Sequence, residues 1–308
     1  MRNPTVQRAI ERGVAYVTAR QHGDGHWEEF ALPVGRSGAW VTAYTGVMLL
    51  EAARSTGSLP RAAEAAGGAG RWLRRNRPYA AGWGFNEKTG PDADSTAYAL
   101  LLLRELGEPV ARRDEEWLRA RWRANGGFAT YERPDQWGMA HPDVTPMAYR
   151  ALAAEEQARL RTAVVACLHR SRETDGTWPA YWWRTRHYST FLNAALLREL
   201  EAGAETAVVV SEEESRTVRS AFDLAYLLGT AWLSWGAGAG TSRLAEELVA
   251  LQSDDGSWPG TPILRVSRHD ARDPWRHPEG ALYADADHLF TTASAVRMLA
   301  MTSAEKPQ

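Results

Sequence analysis

Two kinds of helical pattern alternate along this chain. The first is amphipathic, with apolar positions at helical spacing and Arg and Glu on the remaining side. It runs through Tyr16 and Val17, and again around Trp72-Leu73, Trp117-Leu118, Val164-Val165 and Leu248-Val249. The second kind is apolar nearly all round. One such stretch opens at Trp40-Val41-Thr42-Ala43 and continues through Met48, Leu49 and Leu50. Another runs from Asp92 through Tyr98, Leu100, Leu101 and Leu103 to Leu106. Further copies start at His141-Pro142-Asp143-Val144-Thr145, at His187-Tyr188-Ser189-Thr190 as far as Leu200, and near Asp285 or Asp287 as far as Met301. A helix that is apolar on every side must be buried, whereas one with a charged face meets solvent. The alternation therefore predicts pairs, each with an outer and an inner helix.

A turn with glycine and an aromatic separates the two members of a pair. The turn aromatics are Trp27, Trp83, Phe128, Trp178 and Trp258. Their spacing, about fifty residues, marks an internal repeat. The last gap is longer. It holds Ser211-Glu212-Glu213-Glu214, which reads as a capping box. A helix through Phe222, Leu224, Leu227, Leu228 and Trp232 follows. This is a sixth unit without its turn, while Ala204 to Val210 fits no helix. Six helix pairs in series predict an all-α fold, an (α/α)6 toroid with a double ring of helices around a central cavity. It would form one domain over residues 1–308.

The turns carry a resemblance. Gln-x-x-x-Gly-x-Trp is intact at Gln21/Gly25/Trp27 and at Gln252/Gly256/Trp258, and survives without Gln at Gly176/Trp178. It resembles the repeat of squalene-hopene and oxidosqualene cyclases, in the α/α-toroid superfamily that also includes protein prenyltransferase β subunits. There the Gln caps the outer helix and stacks on the Trp, tying repeats together. The resemblance covers the chain as repeats and specifies a fold. A narrower one lies at Pro91-Asp92-Ala93-Asp94-Ser95-Thr96-Ala97. It is similar to the Asp-x-Asp-Asp-Thr-Ala motif of class II terpene cyclases, whose middle Asp protonates an alkene or epoxide. The resemblance implies Asp94 as the acid and Asp92 as its partner. Ser95 stands where that family has a further Asp. Those enzymes usually join two toroids, and this chain has length for one.

The inner helices align on their threonines. Two residues before Thr42, Thr96, Thr145 and Thr190 stand Trp40, Asp94, Asp143 and Tyr188; three or four before stand Asp92, His141 and His187. The last copy supplies Asp285, Asp287 and His288 nearby. In a toroid these helix starts converge on one rim. An Asp ahead of an apolar helix is ordinarily an N-cap, and Asp143 is assigned that role. Two acids together, Asp92 and Asp94, exceed what one cap needs. A helix N-terminus favours the charged carboxylate by about 0.3–1 kcal/mol. Burial beside a second carboxylate can raise a pKa by about 3–5 units, so burial wins and Asp94 would hold a proton. His141 and His187 are candidate supports for the acid. Trp40, Trp137, Tyr188, Trp232, His187, Asp287 and His288 are candidates for the substrate-facing wall. Trp182, Trp183 and Trp235 also lie outside the turns; individually such indoles are core residues, but together they suit a wall that stabilises a carbocation.

Composition narrows the rest. Of 308 residues, 14 are Trp and only 6 Phe, an excess that the turns and a cavity wall would explain. Net charge is -2 with no basic run, which argues against nucleic acid. The one cysteine, Cys167, excludes an internal disulfide and a multi-cysteine metal site. No apolar run approaches a membrane span, and Met1 to Ile10 lack a signal-peptide core. These features read as a cytoplasmic protein without a transmembrane segment. The expected function is proton-initiated cyclisation or isomerisation of a small apolar, isoprenoid or polyene-like substrate. No cofactor or metal is expected, although a diphosphate substrate would bring Mg²⁺. A second toroid subunit or a homodimer would be the partner. The alternatives are a protein-prenyltransferase-like transferase and a non-catalytic lipid- or partner-binding toroid.

Overall fold

The computed structural model describes residues 3–201, 218, 220–277 and 279–303. Its outer helices are α1 (Pro4–Ala19), α3 (Pro60–Arg75), α5 (Arg112–Arg119), α7 (Ala154–Ser171) and α10 (Ala239–Ala250). The inner helices are α2 (Ala39–Thr56), α4 (Ala93–Glu105), α6 (Thr145–Arg150), α8 (His187–Leu200), α9 (Ala221–Trp235) and α11 (Leu289–Ser303). Each inner helix packs on the next, and α11 packs on α2 and α1, so the ring closes. The inner helices are buried on nearly every face, as their sequences require. α6 starts later than its pattern suggests. His141 precedes Pro142 and is biased away from helix, whereas Pro146 sits comfortably in the first turn. Ser211–Glu214 and Ala204–Val210 lie outside the described residues; α9 is capped by Ser220.

The repeat is held by three recurring bonds. Each turn indole donates to a carbonyl at the end of the preceding outer helix: Trp27 to Val17 (2.9 Å), Trp83 to Leu73 (3.1 Å), Trp178 to Leu168 (2.8 Å) and Trp258 to Leu248 (2.6 Å). The backbone N–H of each turn aromatic donates to a threonine hydroxyl of the inner helix. The pairs are Trp27–Thr42, Trp83–Thr96, Phe128–Thr145, Trp178–Thr190 and Trp258–Thr292, all at 2.9–3.1 Å. The threonine register read from the sequence is thus a physical joint, and Thr292 extends it to the last repeat. The glutamines make the third bond. Gln21 donates to its own Gly25 carbonyl and to Ala65 of α3, each at 2.8 Å. Gln252 does the same to Gly256 and to Ala9 of α1, each at 2.9 Å, closing the ring across the chain ends. Gly25 has φ +107°, and a Cβ there would meet the Gly68 carbonyl at 2.5 Å. Only glycine allows that approach.

Two short hairpins were not anticipated. Strand β1 (Glu29–Leu32) pairs with β2 (Gly35–Ser37), and β3 (Pro262–Val266) with β4 (Ala281–Ala284), both antiparallel. They sit at the N-terminal end of the inner ring. One helical turn deeper, the centre is filled. Tyr44 bonds Tyr226 and Ser294, and Tyr98 bonds Tyr188 at 2.7 Å, all buried. A cavity along the ring axis is therefore confined, among the described residues, to the end where the inner helices begin. Among the described residues no helix is long and apolar enough to cross a membrane.

Candidate active site

At that end lies a cavity of about 450 Å³. Its wall is mainly aromatic and aliphatic: Trp40, Phe85, Trp137, Trp182, Trp183 and Leu264. Trp40 lies 6.0 Å from both Phe85 and Trp183, centroid to centroid, and Trp137 lies 5.3 Å from Trp182. The hairpins complete the wall with Leu32, Val34, Val266 and Tyr283, and Asp92, Asp94 and Ser95 form its acidic corner. A larger groove of about 600 Å³ lies past the first hairpin, lined by Arg36, Arg75, Arg77 and Lys88; none of the candidate acids reaches it.

The two acids divide the labour. Asp92 is the N-cap of α4, accepting from the Ser95 N–H and the Ser95 hydroxyl, each at 2.7 Å. Ser95, where the similar motif has a further Asp, thus serves as a donor to Asp92. Burial raises Asp92 to about 6, opposed by those hydrogen bonds. Asp94 is left with no capping task. Its Oδ1 is buried without a partner. Burial, then the charges of Asp92 and Asp143, push its pKa well above the carboxylate range. Burial favours the protonated form of a carboxyl group so placed, which is the form a general acid needs.

Asp143 departs from its expected role. The N-cap of α6 is Val144, with no side-chain cap bond. Asp143 instead accepts the Trp182 backbone N–H at 2.7 Å, and its Oδ1 has no partner. Burial raises it to about 6, with Arg265 nearby acting in the opposite direction.

The other candidates separate. Trp40 and Trp137 line the cavity. His141 does not line it; it stacks on Tyr181 at 4.0 Å, and burial lowers it to about 3. It is neutral there and cannot supply a cation to the conjugate base. His187 begins α8 and interacts with Asp223, away from the cavity. Tyr188 belongs to the tyrosine layer beneath, stacked near Trp183 and Phe222. Trp232 lies in the last turn of α9, at the far end of the ring from the helix starts. Asp287 pairs with Arg36 on the surface. His288 accepts the Gly260 N–H at 2.9 Å, a structural bond. Asp285 caps α11 through the Phe290 and Thr291 N–H groups, beside buried Glu29, which takes the Asp287 and Leu289 N–H groups. The residues that sequence reasoning missed include Phe85, Thr130, Tyr131, Arg133 and Leu264, besides the other residues of the hairpins. Phe85, one residue past Gly84 in the acid-bearing turn, was the most legible of them. Among the described residues no group of three or more His, Cys, Asp or Glu is arranged to hold a metal ion. Cys167 sits on outer helix α7.

No family model matches the chain. A labda-7,13-dienyl diphosphate synthase of Streptomyces clavuligerus is 35% identical over 95 residues, which is 30% of this chain and 15% of that enzyme. The match therefore spans a small part of that protein. The type II terpene cyclase MstE from Scytonema superposes with a TM-score of 0.81 at 24% identity, covering 97% of this chain and 98% of that one. A protein from Actinoplanes superposes at 0.78 with 26% identity, covering 96% and 99%. The chain carries the α/α-toroid fold of the type II terpene cyclases.

Proposed function

We propose that this protein catalyses proton-initiated cyclisation or isomerisation of an isoprenoid or polyene-like substrate, with Asp94 as general acid. The observation that carries the reading is Asp94 itself: a buried carboxyl on the wall of an apolar cavity, relieved of capping by Asp92. The Asp94 O–H would protonate a carbon of a terminal alkene, leaving a tertiary cation and the Asp94 carboxylate. The faces of Trp40, Phe85, Trp183, Trp137 and Trp182 would stabilise the migrating cation, each by about 0.5–2 kcal/mol. The same wall excludes water until a proton is lost. Related structures support an isoprenoid: MstE has been seen with geranylgeranyl dihydroxybenzoate as substrate. That compound and geranylgeranyl diphosphate are the first probes to try. The test is turnover by wild type and by Asp94→Asn, with folding checked by circular dichroism. Loss of at least about 100-fold in a folded variant supports the reading; turnover within a few-fold of wild type defeats it. A second toroid, or a second copy of this chain, is the partner that the reading adds, and sedimentation would report it. The reading places the reaction in the cytoplasm, where Cys167 stays reduced.

A further inference from the structure

Asp143 is a buried carboxylate that the proposed reaction does not use. It stands at the register position of Asp94 in the next repeat, just ahead of α6 and two residues before the threonine joint. Helices α4 and α6 pack on one another. Asp143 is fully buried, yet it caps no helix. Its hydrogen bond leads back to the acid in three steps. Trp182 donates its backbone N–H to Asp143 at 2.7 Å. The Trp182 indole donates to the Thr130 hydroxyl at 2.8 Å. The Thr130 carbonyl accepts the N–H of Ala93, the residue before Asp94, at 3.0 Å. Arg265 braces the same wall, its backbone N–H bonded to the Trp182 carbonyl at 2.7 Å and its guanidinium to the Ala180 and Arg184 carbonyls.

We propose that Asp143 is a positioning residue for the acid: it anchors Trp182 against the start of α4, and its negative charge keeps the proton on Asp94. This rests on Asp94 being the acid. The groups acting on Asp94 are Asp92 at the mouth of its own helix and Asp143 in the turn before α6, both unfavourable to a second charge. Tyr98 on α4, Tyr188 on α8 and Tyr131 in the loop beyond α5 sense the Asp94 charge and stay neutral. Arg265 lies beside Asp143 and favours its ionised form. The arrangement separates two like groups: in one an N–H donor and a nearby guanidinium oppose the effect of burial, and the other is deprived of both.

The test needs no substrate. Protein labelled with [¹³C]aspartate is titrated by NMR, and the Asp94 carboxyl signal is assigned by its loss in Asp94→Asn. Asp143→Asn keeps an oxygen for the Trp182 N–H and removes the charge. The Asp94 midpoint should then fall by about one pH unit or more, a tenfold change in its protonation ratio. Asp143→Glu, which restores the charge, should return the midpoint towards wild type. In wild-type protein the Asp94 signal should also register the ionisation of Asp143 as a separate step. An unmoved midpoint in folded Asp143→Asn, or a one-step wild-type titration if that variant does not fold, overturns the proposal. Loss of turnover in Asp94→Asn with an unmoved midpoint would defeat only the role of Asp143. Full turnover in Asp94→Asn would defeat the acid assignment beneath it.

Discussion

Asp92 and Asp94 stand two residues apart and do different work because only one of them points at the helix N–H groups. Asparagine caps about as well as aspartate. Asp92→Asn should therefore keep α4 intact and lower turnover less than Asp94→Asn, since it tunes the acid without donating. A loss at Asp92→Asn as large as at Asp94→Asn would make the two a joint acid. His141 gives a second test at this scale. Burial lowers its pKa from the usual 6.5 to about 3. The stability linked to its neutral form is therefore present above pH 6.5 and lost as pH falls through that window. His141→Gln removes this term. The variant should lose less stability than wild type between pH 6.5 and pH 4, by about 1.4 kcal/mol for each pH unit at most. Urea unfolding at the two pH values measures it, and equal losses would show that His141 carries a proton in the folded state. Turnover of that variant should stay near wild type, because the ring is packed on Tyr181 outside the cavity.

At the level of the helix pair, the joint between turn and inner helix explains why the repeat was legible. Thr42, Thr96, Thr145 and Thr190 aligned the inner helices by sequence alone, and each accepts the N–H of its turn aromatic. Thr145→Val should leave the Phe128 N–H buried without an acceptor and cost about 1–3 kcal/mol. Denaturant unfolding would report it, and a change under about 0.5 kcal/mol would mean that the joint is redundant. The hairpins were not legible. Glu29–Leu32 and Gly35–Ser37 are four and three residues long and show no alternation of buried and exposed positions. Their apolar residues, such as Leu32 and Val34, are spent on the cavity wall. Asp143 was misread for a related reason. A sequence shows that an acid precedes an apolar helix, but not which N–H it meets. Asp92 meets its own helix, while Asp143 meets Trp182 in the next repeat.

Across the whole molecule, closure joins residues at opposite ends of the chain. Gln252 bonds Ala9, and Arg12 bonds the Ser253 and Asp254 carbonyls at 2.8 Å. A deletion through Gly38 would expose α11 and remove part of the cavity wall together, so it should unfold the domain rather than trim it. A truncated protein with near-native cooperativity would contradict closure. The ring also places the acid. The tyrosine layer fills the centre among the described residues, and the cavity lies where the inner helices begin and Asp94 stands. The central claim is that the proton on Asp94 ends on substrate carbon. The direct measurement is turnover in D₂O followed by mass spectrometry and NMR of the product. Asp94 exchanges with solvent, so wild type should place one deuterium on the carbon that was protonated, and Asp94→Asn should form no labelled product. Product formed without deuterium, or labelled product from Asp94→Asn at a rate near wild type, would contradict the account.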